Sequence, residues 1–172
     1  MRLYLIGYMY SGKTTVGRRL ADDMGYRFYD LDQAIEQRFH TTVPLFFKNY
    51  GEEMFRQVEQ RLLHDTAEMD DVVVSTGGGT PCYFDNIQWI NKHGQSVYIK
   101  LTEETICQRM TVSRKCRPTI KALPRDERRQ FVHDQLALRA PFYGQAPHTV
   151  LADGLATEEV VERIKSMLCE VS

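Results

Sequence analysis

The chain has 172 residues, one domain of ordinary size that can bury roughly two-thirds of the surface its unfolded form exposes, and a large second domain is not expected. With 22 Lys and Arg against 23 Asp and Glu, its formal charge of −1 removes any whole-molecule argument for a nucleic-acid or anionic-membrane partner. Cys82, Cys107, Cys116 and Cys169 form no C-x-x-C pair, no His or Cys cluster has zinc-ligand spacing, and the apolar stretch before Ser11 is too short for a secretory or membrane segment, so a soluble, cytoplasmic protein with inert thiols is expected.

Leu3-Tyr4-Leu5-Ile6 is an apolar run that predicts a first strand, and Gly7-Tyr8-Met9-Tyr10-Ser11-Gly12-Lys13-Thr14 follows it in the pattern G-x-x-x-x-G-K-[ST]. Successive backbone N–H groups in such a turn make an anion-binding concavity. Lys13 can reach the outer phosphates, and the Thr14 hydroxyl is placed to join a Mg²⁺ shell. Val16, Leu20 and Met24 form one face of a helix over about 12–24, whose positive N-terminal end faces the same ligand.

Residues 26–29 predict a second strand ending at Asp30-Leu31-Asp32, with a helix over about 32–39 after it. Thr42 is a plausible cap for a short helix opening at Pro44, and Gly51 precedes a longer one striped by Met54, Phe55, Val58, Leu62 and Leu63. Val72-Val73-Val74-Ser75 is a continuous apolar run, as in a strand buried on both faces, and it ends in Thr76-Gly77-Gly78-Gly79. Further strands are expected at 96–101 and 148–151, and helices near 84–91, 103–110, 126–140 and 157–168. Strands alternating with helices imply a parallel sheet covered on both faces, with ligands at the carboxyl ends of its strands. The stretch 113–129 breaks the pattern with basic residues and two prolines. Beside a phosphate loop it reads as a lid that closes over phosphates and excludes water; otherwise it is a solvated loop.

A phosphate loop alone does not separate kinases from GTPases, ATPases or nucleotide sensors. Asn91-Lys92-His93-Gly94 lacks the Asp of an N-K-x-D base-reading motif, and the run at Val72 ends in Ser75-Thr76 where an ATPase of the common type would carry Asp or Glu. That elimination favours a small-molecule kinase. Asp30 and Asp32, one residue apart at a strand's end, can divide the work between the Mg²⁺ shell and the acceptor, although Asp32 would also suit a helix N-cap. Gly77-Gly78-Gly79 would let an acceptor approach the backbone closely.

In this order the motifs resemble the shikimate kinase family, within the nucleoside monophosphate kinase-like P-loop group, over nearly the whole chain. The resemblance rests on the Gly7 to Thr14 loop with Val16-Gly17-Arg18, Asp30-Leu31-Asp32 with Ala34-Ile35-Glu36, Gly51-Glu52 with Phe55-Arg56 and Glu59, Gly77-Gly78-Gly79, Arg117-Pro118, and Arg139-Ala140-Pro141-Phe142-Tyr143. It implies an α/β three-layer P-loop kinase fold: a central parallel sheet with helices on both faces, a helical acceptor-binding segment at about 30–63 and a mobile lid at about 112–125, in one domain acting as a monomer. The implied reaction is transfer of the ATP γ-phosphoryl group to the 3-hydroxyl of shikimate, with Mg²⁺ as cofactor.

By the same resemblance Lys13, Asp32 and Arg117 are catalytic. Ser11, Gly12, Lys13, Thr14, Thr15, Arg109 and Arg117 bind the nucleotide, and Thr14 holds the metal with Asp30, the latter through water. Asp32, Arg56, Gly77, Gly78, Gly79 and Arg139 bind the acceptor, Arg56 and Arg139 clamping its carboxylate. Glu59 would orient Arg56, and Phe47 and Phe55 either wall the acceptor or pack the core. The chain departs from the family's pattern at Tyr10, where Gly is usual, which asks whether the loop's backbone conformation is kept. Thr119-Ile120 follows Arg117-Pro118 in place of the usual Leu-Leu, and Ala152-Asp153-Gly154-Leu155 lacks a basic residue often found there.

Overall fold

The valine run does form a strand buried on both faces. β3 (Val72–Ser75) lies between β1 (Arg2–Ile6) and β2 (Arg27–Asp30) in a computed structural model that describes residues 1–113, 120 and 123–169. With β4 (Gln95–Lys100) and β5 (His148–Leu151) the strands make a parallel sheet in the order β2-β3-β1-β4-β5. The chain leaves β1 toward one edge for β2 and β3, then crosses to the other side for β4 and β5. The order therefore reverses at β1, and the crevice at its carboxyl end is where such sheets bind ligands. Register brings the other strand ends to the same place, since Ser75 pairs with Leu5 on one side and Asp30 on the other.

Neighbouring residues of β1 show both faces covered. Leu5 points to α1 (Lys13–Met24), close to Gly17, whereas the Tyr4 ring meets Trp89 of α4 (Asn86–His93) edge-on at 6.1 Å. Gly17 is required there, because a Cβ would lie 2.6 Å from the Phe28 ring of β2. Beyond β2, α2 (Leu31–Phe39) packs against α3 (Val43–Asp65). α3 is capped by Thr42 and broken at Gly51 (φ 79°, ψ 171°), as expected from the separate helical stretches read around that glycine. α5 (Glu103–Val112) packs on α6 (Arg125–Tyr143), and α7 (Thr157–Cys169) on α1. Residues 114–119, 121 and 122, which hold Arg117 and most of the expected lid, lie outside the described residues. No helix among the described residues is long and apolar enough to cross a membrane.

One expectation about helix ends is corrected. α2 begins at Leu31, and its N-cap is Asp30, whose carboxylate accepts from the backbone N–H of Gln33 at 3.1 Å. Asp32 sits inside the first turn, because the helix opens one residue earlier than expected: the strand runs straight into it, with Asp30 as both the last strand residue and the cap.

Candidate active site

The phosphate loop runs from the end of β1 into α1. Tyr10 stands in the left-handed region (φ 68°), so the backbone conformation a glycine would supply is kept. Its carbonyl accepts from Nη1 of Arg109 at 2.9 Å, which brings α5 against the loop. Ser11 is buried, Thr14 and Thr15 are exposed, and Gly12 (φ 90°) is the N-cap of α1. Lys13 is folded back on its own loop, its Nζ donating to the carbonyls of Gly7 (2.8 Å) and Tyr8 (2.9 Å). Burial pulls its pKa well below that of an ordinary lysine, to about 8, against the opposing pull of Asp32 and Asp30.

Thr14 Oγ1 donates to Asp30 Oδ2 at 2.8 Å and lies 3.5 Å from Ser75 Oγ. These are hard oxygen donors at the joined ends of α1, β2 and β3, a donor set that fits Mg²⁺. The sequence alone assigns Ser75 no role, since its strand end stands out only for lacking a carboxylate. Asp32 opens onto the cleft one residue into α2. Asp32 stays exposed at the mouth of the cleft, yet the protein crowded around its carboxylate, with Asp30 and Glu59 adding negative charge, raises its pKa to about 6 although Lys13 opposes the shift.

Each of the three glycines after β3 makes room for a different side chain. A Cβ on Gly77 would lie 2.7 Å from Glu59 Oε1 and 3.4 Å from Asp32 Oδ1. On Gly78 it would lie 3.2 Å from Arg139 Nη1 and 3.1 Å from the backbone nitrogen of Met9, and on Gly79 2.7 Å from Arg56 Nη2. The small residues thus seat the expected acceptor groups themselves, and at Gly78 the glycine loop touches the phosphate loop. The Tyr143 hydroxyl donates to the Gly78 carbonyl at 2.5 Å and fixes its direction.

The two arginines are held differently. Arg56 donates to the fully buried Glu59 at 2.8 Å and to Glu52 at 3.3 Å, and its guanidinium stacks 3.9 Å above the Tyr83 ring. Tyr83, whose hydroxyl donates to Glu52, was not recognised from sequence; an aromatic beyond a glycine run carries no local signal of stacking on a side chain from another helix. Glu59 also accepts from Thr80 Oγ1 at 2.5 Å, so one carboxylate ties α3 to the glycine loop. Arg139 donates to Gln135 at 3.3 Å, lies 5.1 Å above the Tyr8 ring, and makes no ion pair among the described residues. Phe55 is buried in the core, with the half-buried Phe47 ring 4.3 Å from it. Cys82 lies in the field of Arg139 and Arg56, yet burial pushes its thiol up to about 11 and keeps it protonated.

The comparisons with known proteins agree with one another. A family model described as shikimate kinase matches residues 9–169. A shikimate kinase of Parabacteroides distasonis is 42% identical over 170 residues, covering 99% of this chain and 98% of that protein. The crystal structure of shikimate kinase from Bacteroides thetaiotaomicron superposes with a TM-score of 0.90 at 38% identity, covering 98% of each chain. That of shikimate kinase from Acinetobacter baumannii in complex with shikimate gives a TM-score of 0.89 at 31% identity, covering 99% of this chain and 94% of that one.

Proposed function

The chain belongs to the shikimate kinase family, and on that premise we propose that it transfers the γ-phosphoryl group of ATP to the 3-hydroxyl of shikimate, giving shikimate 3-phosphate and ADP on the route to the aromatic amino acids. The observation that carries the proposal is the glycine loop, which gathers Asp32, Arg139 and Arg56 around one acceptor space and touches the phosphate loop at Gly78. A ring bearing a carboxylate and hydroxyls calls for guanidinium groups at one end and a carboxylate acceptor at the other, and this is that set. Residues 30–63 serve as the acceptor-binding segment of a single domain, with a lid at 112–125.

Phosphoryl transfer asks little covalent chemistry of the protein, so alignment of the acceptor hydroxyl with the donor dominates. Arg56 and Arg139 hold the acceptor carboxylate. Asp32 accepts a hydrogen bond from the reacting hydroxyl and, with its pKa at about 6, can take up the proton that the transfer releases. Lys13 exchanges the carbonyls of Gly7 and Tyr8 for phosphate oxygens, which are charged and therefore stronger acceptors. Arg109 serves the nucleotide side and Arg117 the transferred phosphate. Thr14 would hold Mg²⁺ directly and Asp30 through water, with Ser75 beside them; the ion would neutralise phosphate charge.

The test is ADP release with Mg-ATP and shikimate, gluconate or a nucleoside monophosphate in turn. Saturable turnover with shikimate alone is expected. Turnover with gluconate or a nucleotide but none with shikimate would overturn the assignment, and nucleotide binding without turnover would mark an inactive module.

A further inference from the structure

Arg139 carries a charge that no carboxylate neutralises among the described residues, in contrast to Arg56 with Glu52 and Glu59. What lies under its guanidinium is the ring of Tyr8, 2% exposed, in the phosphate loop. An aromatic face attracts a cation through its quadrupole and leaves the positive charge intact, whereas a carboxylate in that place would compete with an anionic acceptor. The backbone of the same residue belongs to the donor half: the Tyr8 carbonyl accepts from Lys13 Nζ at 2.9 Å and from the Ser11 N–H at 3.2 Å. Its neighbour Met9 packs at Gly78, which Arg139 also approaches.

From this we propose that Tyr8 is a positioning residue that couples the two substrates, its ring seating Arg139 for the acceptor carboxylate and its carbonyl holding Lys13 of the donor site. The inference rests on the acceptor assignment given above. A phosphate that draws Lys13 away from the Tyr8 carbonyl frees that peptide to settle, and an anion that draws on Arg139 sets the ring beneath it. Each substrate thereby lowers the work of binding the other, and the coupling is reciprocal in the two affinities.

The test compares Tyr8→Phe, which keeps the aromatic face, with Tyr8→Leu, which removes it. Steady-state kinetics give KM for shikimate and kcat. Titration calorimetry with a non-hydrolysable ATP analogue and Mg²⁺, with and without shikimate, gives the coupling factor. Tyr8→Leu should raise KM for shikimate by about two- to thirtyfold, with kcat within about threefold of wild type, and bring the coupling factor toward one; Tyr8→Phe should raise that KM clearly less than Tyr8→Leu and keep more of the coupling. A partly unfolded preparation lowers apparent kcat without moving KM, so a merely structural role is separated. Should Tyr8→Leu not fold, Tyr8→Met read against Arg139→Ala serves instead: the double variant should lose no more shikimate affinity than Arg139→Ala alone. Wild-type KM and coupling in Tyr8→Leu, additive losses in the double variant, or equal damage from Phe and Leu would each overturn the proposal. Absence of shikimate turnover in the wild-type protein would instead overturn the functional assignment, and this inference with it.

Discussion

Arg109 Nη1 donates to the carbonyl of Tyr10 at 2.9 Å, and Tyr10 holds a left-handed backbone at φ 68°. A side chain in that conformation costs about 1–2 kcal/mol relative to glycine, and the bond from α5 helps hold it there. A β-branched residue pays more because the second substituent on its Cβ adds crowding against the backbone to the Cβ clash that every non-glycine residue has there. Tyr10→Val should therefore raise KM for ATP by about tenfold or more, whereas Tyr10→Gly and Tyr10→Asn stay within about threefold of wild type. Arg109→Met should raise KM for ATP and leave KM for shikimate alone. Equal ATP kinetics for Tyr10→Val and Tyr10→Gly would show that the loop does not need this conformation.

The two arginines proposed to hold the acceptor separate by stability. Arg56→Ala leaves Glu59, fully buried, without its cation, and a buried charge orphaned in this way costs about 3–5 kcal/mol. Arg139→Ala orphans no carboxylate among the described residues. Both should raise KM for shikimate by about tenfold or more, through loss of a charge-assisted pair. Only Arg56→Ala should lower the melting temperature by several degrees in scanning calorimetry. An unchanged shikimate dependence in Arg139→Ala would remove its assigned role.

Asp30 combines a cap with a proposed metal position, and the two functions can be parted. Asn caps a helix about as well as Asp, so Asp30→Asn should keep the thermal stability of the wild type while raising the Mg²⁺ concentration needed for half-maximal turnover. Asp30→Ala should lose about 1 kcal/mol of stability as well. Magnesium titrations at fixed ATP, beside melting curves, read both effects. An unaltered magnesium requirement in Asp30→Asn would leave the residue with its cap alone.

The pH profile follows from Asp32 and Lys13. Below about 6 the Asp32 carboxylate takes up a proton and can no longer accept one from the acceptor, so kcat/KM falls as pH drops through that value. Above about 8 Lys13 loses its charge and its pull on phosphate, so kcat/KM falls as pH rises through that value. The expected curve is a bell with its maximum between the two. A profile flat from about pH 5 to 9 would show that neither group titrates in a step that matters.

Much of the fold was legible because its signals are local. The strand at Leu3, the phosphate loop, the valine run and the helical stripes are each written in one contiguous segment, where side-chain period and turn chemistry decide the structure. Boundaries moved by one to three residues, and at the junction of β2 and α2 that small shift mattered, because it made Asp30 the cap and put Asp32 inside the first turn. The acceptor side was legible mainly through resemblance: nothing local distinguishes Arg139 from an arginine on a solvated helix end.

By itself the sequence determined the order of elements, the phosphate loop and the residue types offered at each strand end. Only the tertiary structure decided who meets whom: Glu59, Arg139 and Arg56 at successive glycines, Tyr83 beneath Arg56, Tyr8 beneath Arg139, and Ser75 beside Thr14. The reason is geometric. These partners lie far apart along the chain, and the parallel order β2-β3-β1-β4-β5 brings the ends of their elements to one rim of the sheet, where the contacts depend on distances that no stretch of sequence carries.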